Sequence, residues 1–522
     1  MATEDEGISP RQLSPATSNA ATRDNGGTDA LASAAVTSNT ADDREHSNSQ
    51  VSQQNDGRHV QLEGISPQHS RPRRPSSLRS RHMRERSNSQ YAIPDDWANL
   101  DELAVTSPVE NIDETYVYHH RSLEQTRTSE RQRRASISES VPAGGILESD
   151  IESAVARGTQ VSKLQTEVFT ISYLVFFAIL GTLGRVGLSA LTSYPGAPVI
   201  FESIWPNFAG CLVMGFLAED RMLFQTAPLP EDTDNIEMGR RKSHDQENGS
   251  SSDQNPNGDG MTPMQIKKTI PLYIGMATGF CGSLTSFSSF IRDAFLALSN
   301  DMVTPGVPNS PTSRNGGYSF MALLAVIILT ITLSLSALFI GAHIAIAVER
   351  FTLSIRYPIT KRILDPAAVV LGWGSWIGAV FLAIFPPHDF WRGRAVFAIV
   401  FAPLGCLLRF YVSLHLNGMA ASFPVGTFVV NVFGTGVLGM AWDIAHAQVG
   451  GVIGCQVLQG IEDGFCGALT TVSTWVAELS SLRRKHAYTY GTASVVVSLL
   501  LLIGVMGGLR WSDGFKPLLC ST

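Results

Sequence analysis

Residues 279–289 read Gly-Phe-Cys-Gly-Ser-Leu-Thr-Ser-Phe-Ser-Ser, and residues 464–474 read Gly-Phe-Cys-Gly-Ala-Leu-Thr-Thr-Val-Ser-Thr. Both stretches lie inside long apolar segments, although glycine and small hydroxyl residues weaken a regular helix or let helices pack closely. The repetition predicts an internal repeat built around a membrane helix that is broken near its middle. In transporters and channels, such broken helices are where polar cargo contacts the protein.

The apolar segments around these motifs are those of an all-α polytopic membrane protein. A span needs about 20 apolar residues to cross roughly 30 Å of hydrocarbon. The motifs fall in the third and the eighth of the candidate spans that meet this requirement. Nine segments do so, namely 168–190, 200–218, 270–298, 318–348, 367–386, 395–415, 423–442, 451–480 and 487–509.

Residues 1–166 have the opposite composition. They are rich in Ser, Arg, Asn, Gln, Asp and Glu, and such a segment buries too little apolar surface to offset its ordering entropy. We expect a disordered cytoplasmic tail, because no apolar stretch after Met1 resembles a signal peptide. Residues 225–264 predict a disordered insert for the same reason. Basic residues before Ser87 and Ser136 favour recognition of the tail by a kinase. If the tail is only regulatory, deletion of residues 1–160 should leave transport intact.

The Lys and Arg residues of the loops predict the orientation. With the tail inside, the cytoplasmic loops carry 13 of them and the outer loops carry three, as expected for an N-terminus in the cytoplasm and an extracellular C-terminal tail at 511–522. Spans one to four (167–348) and six to nine (395–510) form two repeats, and the fifth span lies in a linker at 349–394. Because this single span reverses the second repeat, the two four-helix repeats are predicted to be antiparallel.

Rare polar residues recur at matched places in the two halves. A Gly-x-x-x-Arg string occurs in the first and sixth spans and an Asn in the second and seventh, with an Arg-to-Asn separation of 22 residues in both halves. An intramembrane arginine either extends to the headgroups or serves the protein interior, and an intramembrane asparagine either joins helices or contacts cargo. The matched spacing favours a functional role for Arg185, Asn207, Arg409 and Asn431.

Other chemistry-bearing residues give weaker signals. Five of the six cysteines fall within apolar spans at no metal-ligand spacing, so we expect small buried side chains rather than a disulfide framework or a metal site. Glu462 and Asp463 precede the second motif, but no acid occupies that place before the first, so a boundary or pore-mouth role is favoured. No nucleophile–base pair or metal-ligand set lies on one membrane face, and no enzyme is predicted.

With both motifs, the Gly-x-x-x-Arg strings and the paired asparagines in place, residues 168–510 resemble the fluoride exporter/channel family in its eukaryotic two-domain form. The resemblance implies a fluoride-selective channel of the plasma membrane that passively releases cytoplasmic fluoride. It implies a structural sodium ion at the centre of the repeat interface, held by backbone carbonyls at Gly282, Thr285, Gly467 and Thr470. The implied pore-lining residues are Asn207, Phe287, Phe290, Thr427, Asn431, Tyr490, Ser494 and Ser498, and Arg185 and Arg409 are assigned to the vestibules.

The two halves differ at several of these positions. Val472 and Trp475 stand where the first half has Phe287 and Phe290, and Val326 stands where the second half has Tyr490. We therefore expect that one pathway, built from elements of both halves, conducts and that the other is vestigial.

The alternative function is an ion-coupled secondary transporter, because inverted repeats are common in that class. The expected partners are fluoride and the lipid bilayer, without nucleic acid. Fusion of the two repeats in one chain predicts a monomer.

Overall fold

The computed structural model describes residues 91–94, 97, 161–224, 266–302, 314–386 and 392–520. Within these ranges the regular structure is helical, and extended pairing is limited to one parallel bridge between Tyr91 and Val161. The predicted insert at 225–264 and most of the predicted tail lie outside the described residues. The principal helices are α1 (Lys163–Thr192), α2 (Ile204–Glu219), α3 (Phe287–Ser299), α4 (Gly316–Val348), α5 (Asp365–Ile384), α6 (Phe397–Leu416), α7 (Val425–His446), α8 (Gly451–Gly460), α9 (Ser473–Ser481) and α10 (Arg484–Ser512).

Seven helical segments in the described ranges are long and apolar enough to cross a membrane. They coincide with seven of the nine predicted spans, which confirms an all-α polytopic membrane protein. The other two predicted spans correspond to the 16-residue apolar helix α2 and to the helical pieces between Gly451 and Ser481, and their crossing of the membrane stays a prediction. The seven segments are Lys163–Thr192, Pro271–Ser299, Gly316–Phe351, Tyr357–Ile384, Phe397–Met419, Val425–His446 and Arg484–Ser512.

Both repeated motifs interrupt a helix. Ahead of α3, a turn at Pro271–Ile274 continues as π-helical turns at Gly275–Cys281 and a last turn at Gly282–Leu284. Ahead of α9, π-helical turns at Ile461–Cys466 lead to a last turn at Gly467–Leu469. We call Thr285–Ser286 the first break and residues 470–472 the second break.

The backbone has nearly the same conformation at the start of both breaks. Thr285 has φ/ψ of −89°/150° and Thr470 has −90°/152°, so each leaves the helix in an extended conformation. Ser286 then starts α3, because its side chain accepts the Ser289 N–H as a helix N-cap. The hydroxyl residues of the motif therefore both end one helix and begin the next.

The linker helix α5 packs against both halves, on α1 and on α6. The Trp373 indole N–H donates to Ser172 Oγ at 3.1 Å, and the Trp376 indole N–H donates to Val400 O at 2.9 Å. A Cβ on Gly372 would lie 2.6 Å from the Ser172 carbonyl oxygen, so only glycine lets α5 approach α1 this closely. The linker thus covers the seam where α1 and α6 meet.

Two features at the ends of the chain were not predicted from the sequence. Tyr91 and Trp97 belong to the predicted disordered tail, yet both side chains are buried, because each aromatic ring has a partner on the helices. Cys455 and Cys520 form a disulfide, whereas small buried side chains were expected rather than a disulfide framework. The segment after α10 returns to α8, and a fold-back of this kind has no signature in the spacing of cysteines. The four other cysteines are free and buried, as expected.

Candidate ion pathway and central cation site

The first and second breaks contact each other through matched hydrogen bonds. Thr285 Oγ1 accepts the N–H groups of Val472 at 3.2 Å and Ser473 at 3.1 Å. Thr470, which lies 185 residues later, accepts the Ser288 N–H at 3.0 Å. The Ser473 and Ser288 hydroxyls also donate across the contact, to Cys281 O at 3.2 Å and Cys466 O at 3.5 Å. Each half therefore accepts backbone N–H groups that the break in the other half leaves without helical partners.

The two predicted asparagines brace the breaks within their own halves. Asn207 accepts the Ser286 N–H at 2.8 Å and donates to the Ser286 carbonyl at 3.5 Å. Asn431 accepts the Thr471 N–H at 2.9 Å and donates to the Thr471 carbonyl at 3.2 Å. Each amide carries two N–H donors, so one buried N–H per asparagine makes no hydrogen bond among the described residues.

Arg185 and Arg409 each reach the π-helical turns that precede the break in the other half. Arg185 donates to Ser283 O at 3.2 Å and to Asp463 O, and its Nη1 lies 3.6 Å from the Asp463 carboxylate. Arg409 donates to Thr278 O at 2.6 Å. Both guanidinium groups are buried, so neither extends to the headgroups. Their predicted role at the vestibules stays a prediction.

The first glycine after each motif cysteine makes room for the opposing arginine. A Cβ on Gly282 would clash with the Arg409 guanidinium, and a Cβ on Gly467 would clash with that of Arg185. The glycines predicted as cation ligands therefore also allow the two halves to interlock.

Three aromatic rings form a buried cluster beside the breaks. The Phe287 ring lies 5.6 Å from Phe290 and 5.2 Å from Trp475 between centroids, both with edge-to-face geometry. The edge of an aromatic ring carries partial positive charge. The Trp475 indole N–H is buried without a hydrogen-bond partner among the described residues. Helix α3, which carries both phenylalanines, packs against α7 and α10 of the second half.

Hydroxyl groups of the second half converge on Glu478. The Thr427 hydroxyl and the Tyr490 hydroxyl donate to its two carboxylate oxygens, each at 2.7 Å. Ser494 donates to the Tyr490 carbonyl at 2.8 Å, and the Ser498 hydroxyl has no partner among the described residues. The predicted pore residues Tyr490, Ser494 and Ser498, which we call the Tyr-Ser-Ser track, therefore lie on one buried face of α10. Glu478 joins this track to Thr427 of α7.

The first half has a different acid at the matched place. Asp293 lies 185 residues before Glu478, accepts the Ser203 N–H at 3.2 Å and pairs with Arg292 at 3.1 Å. Thr330, on α4, is buried with its hydroxyl unpaired among the described residues. In both halves a carboxylate accepts a hydrogen bond from the start of the second helix of the repeat, α2 or α7. The donor in the first half is a backbone N–H, and the donor in the second half is the Thr427 hydroxyl.

The centre of the molecule offers neutral oxygen ligands for a cation. Among the described residues, no group of three or more His, Cys, Asp and Glu side chains could hold a metal. The extended conformations of Thr285 and Thr470 turn their carbonyls out of the helical direction, and Thr285 Oγ1 lies 3.3 Å from Thr471 Oγ1. The residues fit the predicted sodium site in donor type. The nearby guanidinium groups of Arg185 and Arg409 oppose it by charge repulsion.

A family model described as "CrcB-like protein, Camphor Resistance (CrcB)" matches residues 172–342 and 396–509. The chain belongs to the CrcB family. The resemblance identified from the motifs is confirmed, and α5 lies between the two matched segments.

Several CrcB relatives are named for fluoride. Fluoride export protein 1 of Neurospora crassa is 52% identical over 514 residues, covering 92% of this chain and 94% of that protein. Fluoride export protein 1 of Candida albicans is 33% identical over 387 residues, covering 73% of this chain and 88% of that protein. The fluoride-specific ion channel FluC of Acinetobacter baylyi is 36% identical over 113 residues, covering 21% of this chain and 86% of that protein. No solved structure matches the chain.

Sequence reasoning missed the two carboxylates of this CrcB chain, Glu478 and Asp293. Both follow a motif at the same distance, and the offset of 185 residues between the motifs relates them to each other. Extending the side-by-side comparison of the halves by a few residues past Phe290 and Trp475 would have found them.

Proposed function

We propose that this chain is a fluoride export channel. The observation that carries the proposal is the buried contact between two helix breaks, flanked by phenyl edges and by amide and hydroxyl donors with hydrogen-bonding capacity to spare. Fluoride is small and strongly hydrated, so a pore must replace its water shell with donors that bind without trapping the ion. The names of the relatives support fluoride as the cargo.

We propose that one of two pathways conducts. Helix α3 brings Phe287 and Phe290 against the helices that carry Asn431, Tyr490 and the serine track. The elements that are intact in each half therefore lie together. The other pathway would depend on Val472 and on an α4 that has Val326 in place of the tyrosine.

We propose that transport is passive. Each elementary charge moving across a membrane gains about 2.3 kcal/mol per 100 mV, so a potential that is negative inside drives an anion outward through an open pore. In proteoliposomes, fluoride release driven by voltage alone supports the channel. A requirement for a proton or sodium gradient would instead support the ion-coupled transporter. Fluoride sensitivity of cells lacking the protein tests the physiological role.

We propose nine spans and two antiparallel repeats, at 167–348 and 395–510, joined by the inverting helix α5 in 349–394. Helix α2 and the pieces between Gly451 and Ser481 would supply the two further crossings. An N-terminus in the cytoplasm and a C-terminus outside the plasma membrane fit the loop charges. The Cys455–Cys520 disulfide supports this orientation, because disulfides persist in oxidising compartments.

We propose that the carbonyls of Gly282, Thr285, Gly467 and Thr470 hold a sodium ion that joins the two breaks. A bound cation supplies positive field and structural cohesion at the centre. Replacing sodium with N-methylglucamine should then lower the melting temperature of the purified protein. An unchanged melting temperature would contradict a structural sodium ion. The positive field at the centre would then come from Arg185 and Arg409.

A further inference from the structure

We propose that the N-terminal tail contains an intramolecular docking element, formed by Tyr91–Pro94 and Trp97, which binds a dedicated site on α1, α5 and α6. We call this element the tail clasp. It lies within the segment that composition assigns to disorder, and it is independent of the transported ion.

The first part of the site is a buried carboxylate shared by two tyrosines. Asp365, in the first turn of α5, accepts the Tyr91 hydroxyl on one oxygen at 3.0 Å and the Tyr173 hydroxyl on the other at 3.1 Å. Asp365 is fully buried, and a buried carboxylate is costly unless it is hydrogen-bonded. The tail therefore supplies one of the donors that this carboxylate requires.

The second part is a backbone contact beside α1. The Ala92 N–H donates to Val161 O at 3.1 Å, next to the parallel bridge between Tyr91 and Val161. Val161 lies two residues before α1 begins at Lys163. This contact fixes the direction of the tail clasp along the end of the helix.

The third part is an aromatic pocket on α6. The backbone N–H of Trp97 donates to the Pro94 carbonyl at 3.0 Å. This bond closes a turn that directs the Trp97 side chain towards the helices. The Trp97 ring lies 5.2 Å from the Phe410 ring in edge-to-face geometry, and 3% of Trp97 is exposed. Its apolar cluster includes Leu174 and Ala178 of α1. The clasp therefore contacts one helix of each half and the linker between them.

These contacts assign a stapling role to the five residues of the tail clasp. Helix α5 already covers the seam between α1 and α6, and the tail clasp joins the same three helices through a different set of side chains. Loss of the clasp should then destabilise the helices, whereas loss of the residues before it should not. This divides a segment that composition alone treats as uniform.

A cleavage experiment tests the docking site in the full chain. A protease site is inserted between residues 100 and 158, the protein is reconstituted in nanodiscs and cut, and retention of the tagged N-terminal fragment is measured. The wild-type fragment should stay bound, and the fragment carrying Tyr91→Phe with Trp97→Ala should be released at least tenfold faster. A control site inserted between residues 60 and 80 should release the distal fragment. Immediate release of the wild-type fragment from the first site would overturn the proposal.

Two truncations test the consequence for stability. Deletion of residues 1–85 should leave the melting temperature unchanged, and deletion of residues 1–100 should lower it by about 5 °C or more. Equal melting temperatures for both truncations would contradict the stapling role. Neither readout uses fluoride, so these results stand apart from the success or failure of the proposed function.

Discussion

The two breaks share their central contacts and differ in what surrounds them. Thr285 and Thr470 hold each other's neighbouring backbone N–H groups, so a substitution at either threonine would damage both halves. The flanking positions have no matched hydrogen bonds of this kind, although the Phe287 ring contacts Trp475 across the halves. Val472 and Trp475 stand where the first half has Phe287 and Phe290, and the hydroxyl donors to Glu478 contrast with the backbone donor to Asp293. The difference indicates that residues hydrogen-bonded across the two halves stay alike in sequence, whereas residues without such bonds can differ between the halves.

The largest expected effect comes from replacing the aromatic residue at the matched position of each half. Phe290→Ile removes a ring from the cluster proposed to line the conducting pathway, and fluoride efflux should fall by about 100-fold, equivalent to roughly 2.7 kcal/mol in the barrier. Trp475→Ile should reduce efflux by less than about threefold on the same scale. Efflux from proteoliposomes measures both. Because the Phe287 ring contacts both Phe290 and Trp475, equal losses would show that the two pathways share one aromatic cluster.

The acids that follow the breaks give the next largest contrast. Glu478→Gln leaves one carbonyl oxygen where two hydroxyls now donate to two oxygens, so Thr427 or Tyr490 loses its acceptor. We expect efflux to fall about tenfold, the equivalent of about 1.4 kcal/mol for one hydrogen bond. Asp293→Asn should change efflux by less than about twofold, because its partners are a backbone N–H and Arg292.

Both variants are measured in the same flux assay, with the melting temperature as a control for folding. A larger loss in Asp293→Asn than in Glu478→Gln would place conduction on the first-half side and reverse the assignment of the pathways.

Much of this arrangement could be predicted because it depends on local spacing. The 22-residue separation found Arg185, Asn207, Arg409 and Asn431, and the repeated motif found both breaks. The contacts of these residues could not be predicted, because whether a buried arginine lines a vestibule or bonds to the opposite backbone depends on how the halves pack. Trp97 was missed because its few ordered residues disappear in the average composition of a long polar tail. Cys520 was missed because nothing in the sequence shows that the C-terminus folds back.

The disulfide is a further difference between the two halves, because it links the C-terminal segment to α8 of the second half only. Cys455→Ala with Cys520→Ala should lower the melting temperature by roughly 5 to 10 °C, as expected for the loss of a cross-link that contributes about 2–4 kcal/mol. Treatment of intact cells with a membrane-impermeant reductant should reduce the disulfide and produce the same decrease in melting temperature. Resistance to that reductant in intact cells, with opening after lysis, would place the C-terminus inside and contradict the proposed orientation.

The smallest expected effect concerns a central contact that the halves do not share. Arg185 has the Asp463 carboxylate at 3.6 Å, whereas Arg409 faces Thr278, which has no charge, at the matched place. The Asp463 side chain is 41% exposed, so solvent screens the ion pair and it should contribute less than about 1 kcal/mol. Asp463→Asn should therefore lower the melting temperature by no more than about 3 °C, and Thr278→Asp should raise it by a similar amount. If Asp463→Asn abolishes folding while Thr278→Asp has no effect, the backbone contacts of the arginines are insufficient to join the halves, and the carboxylate is what distinguishes them.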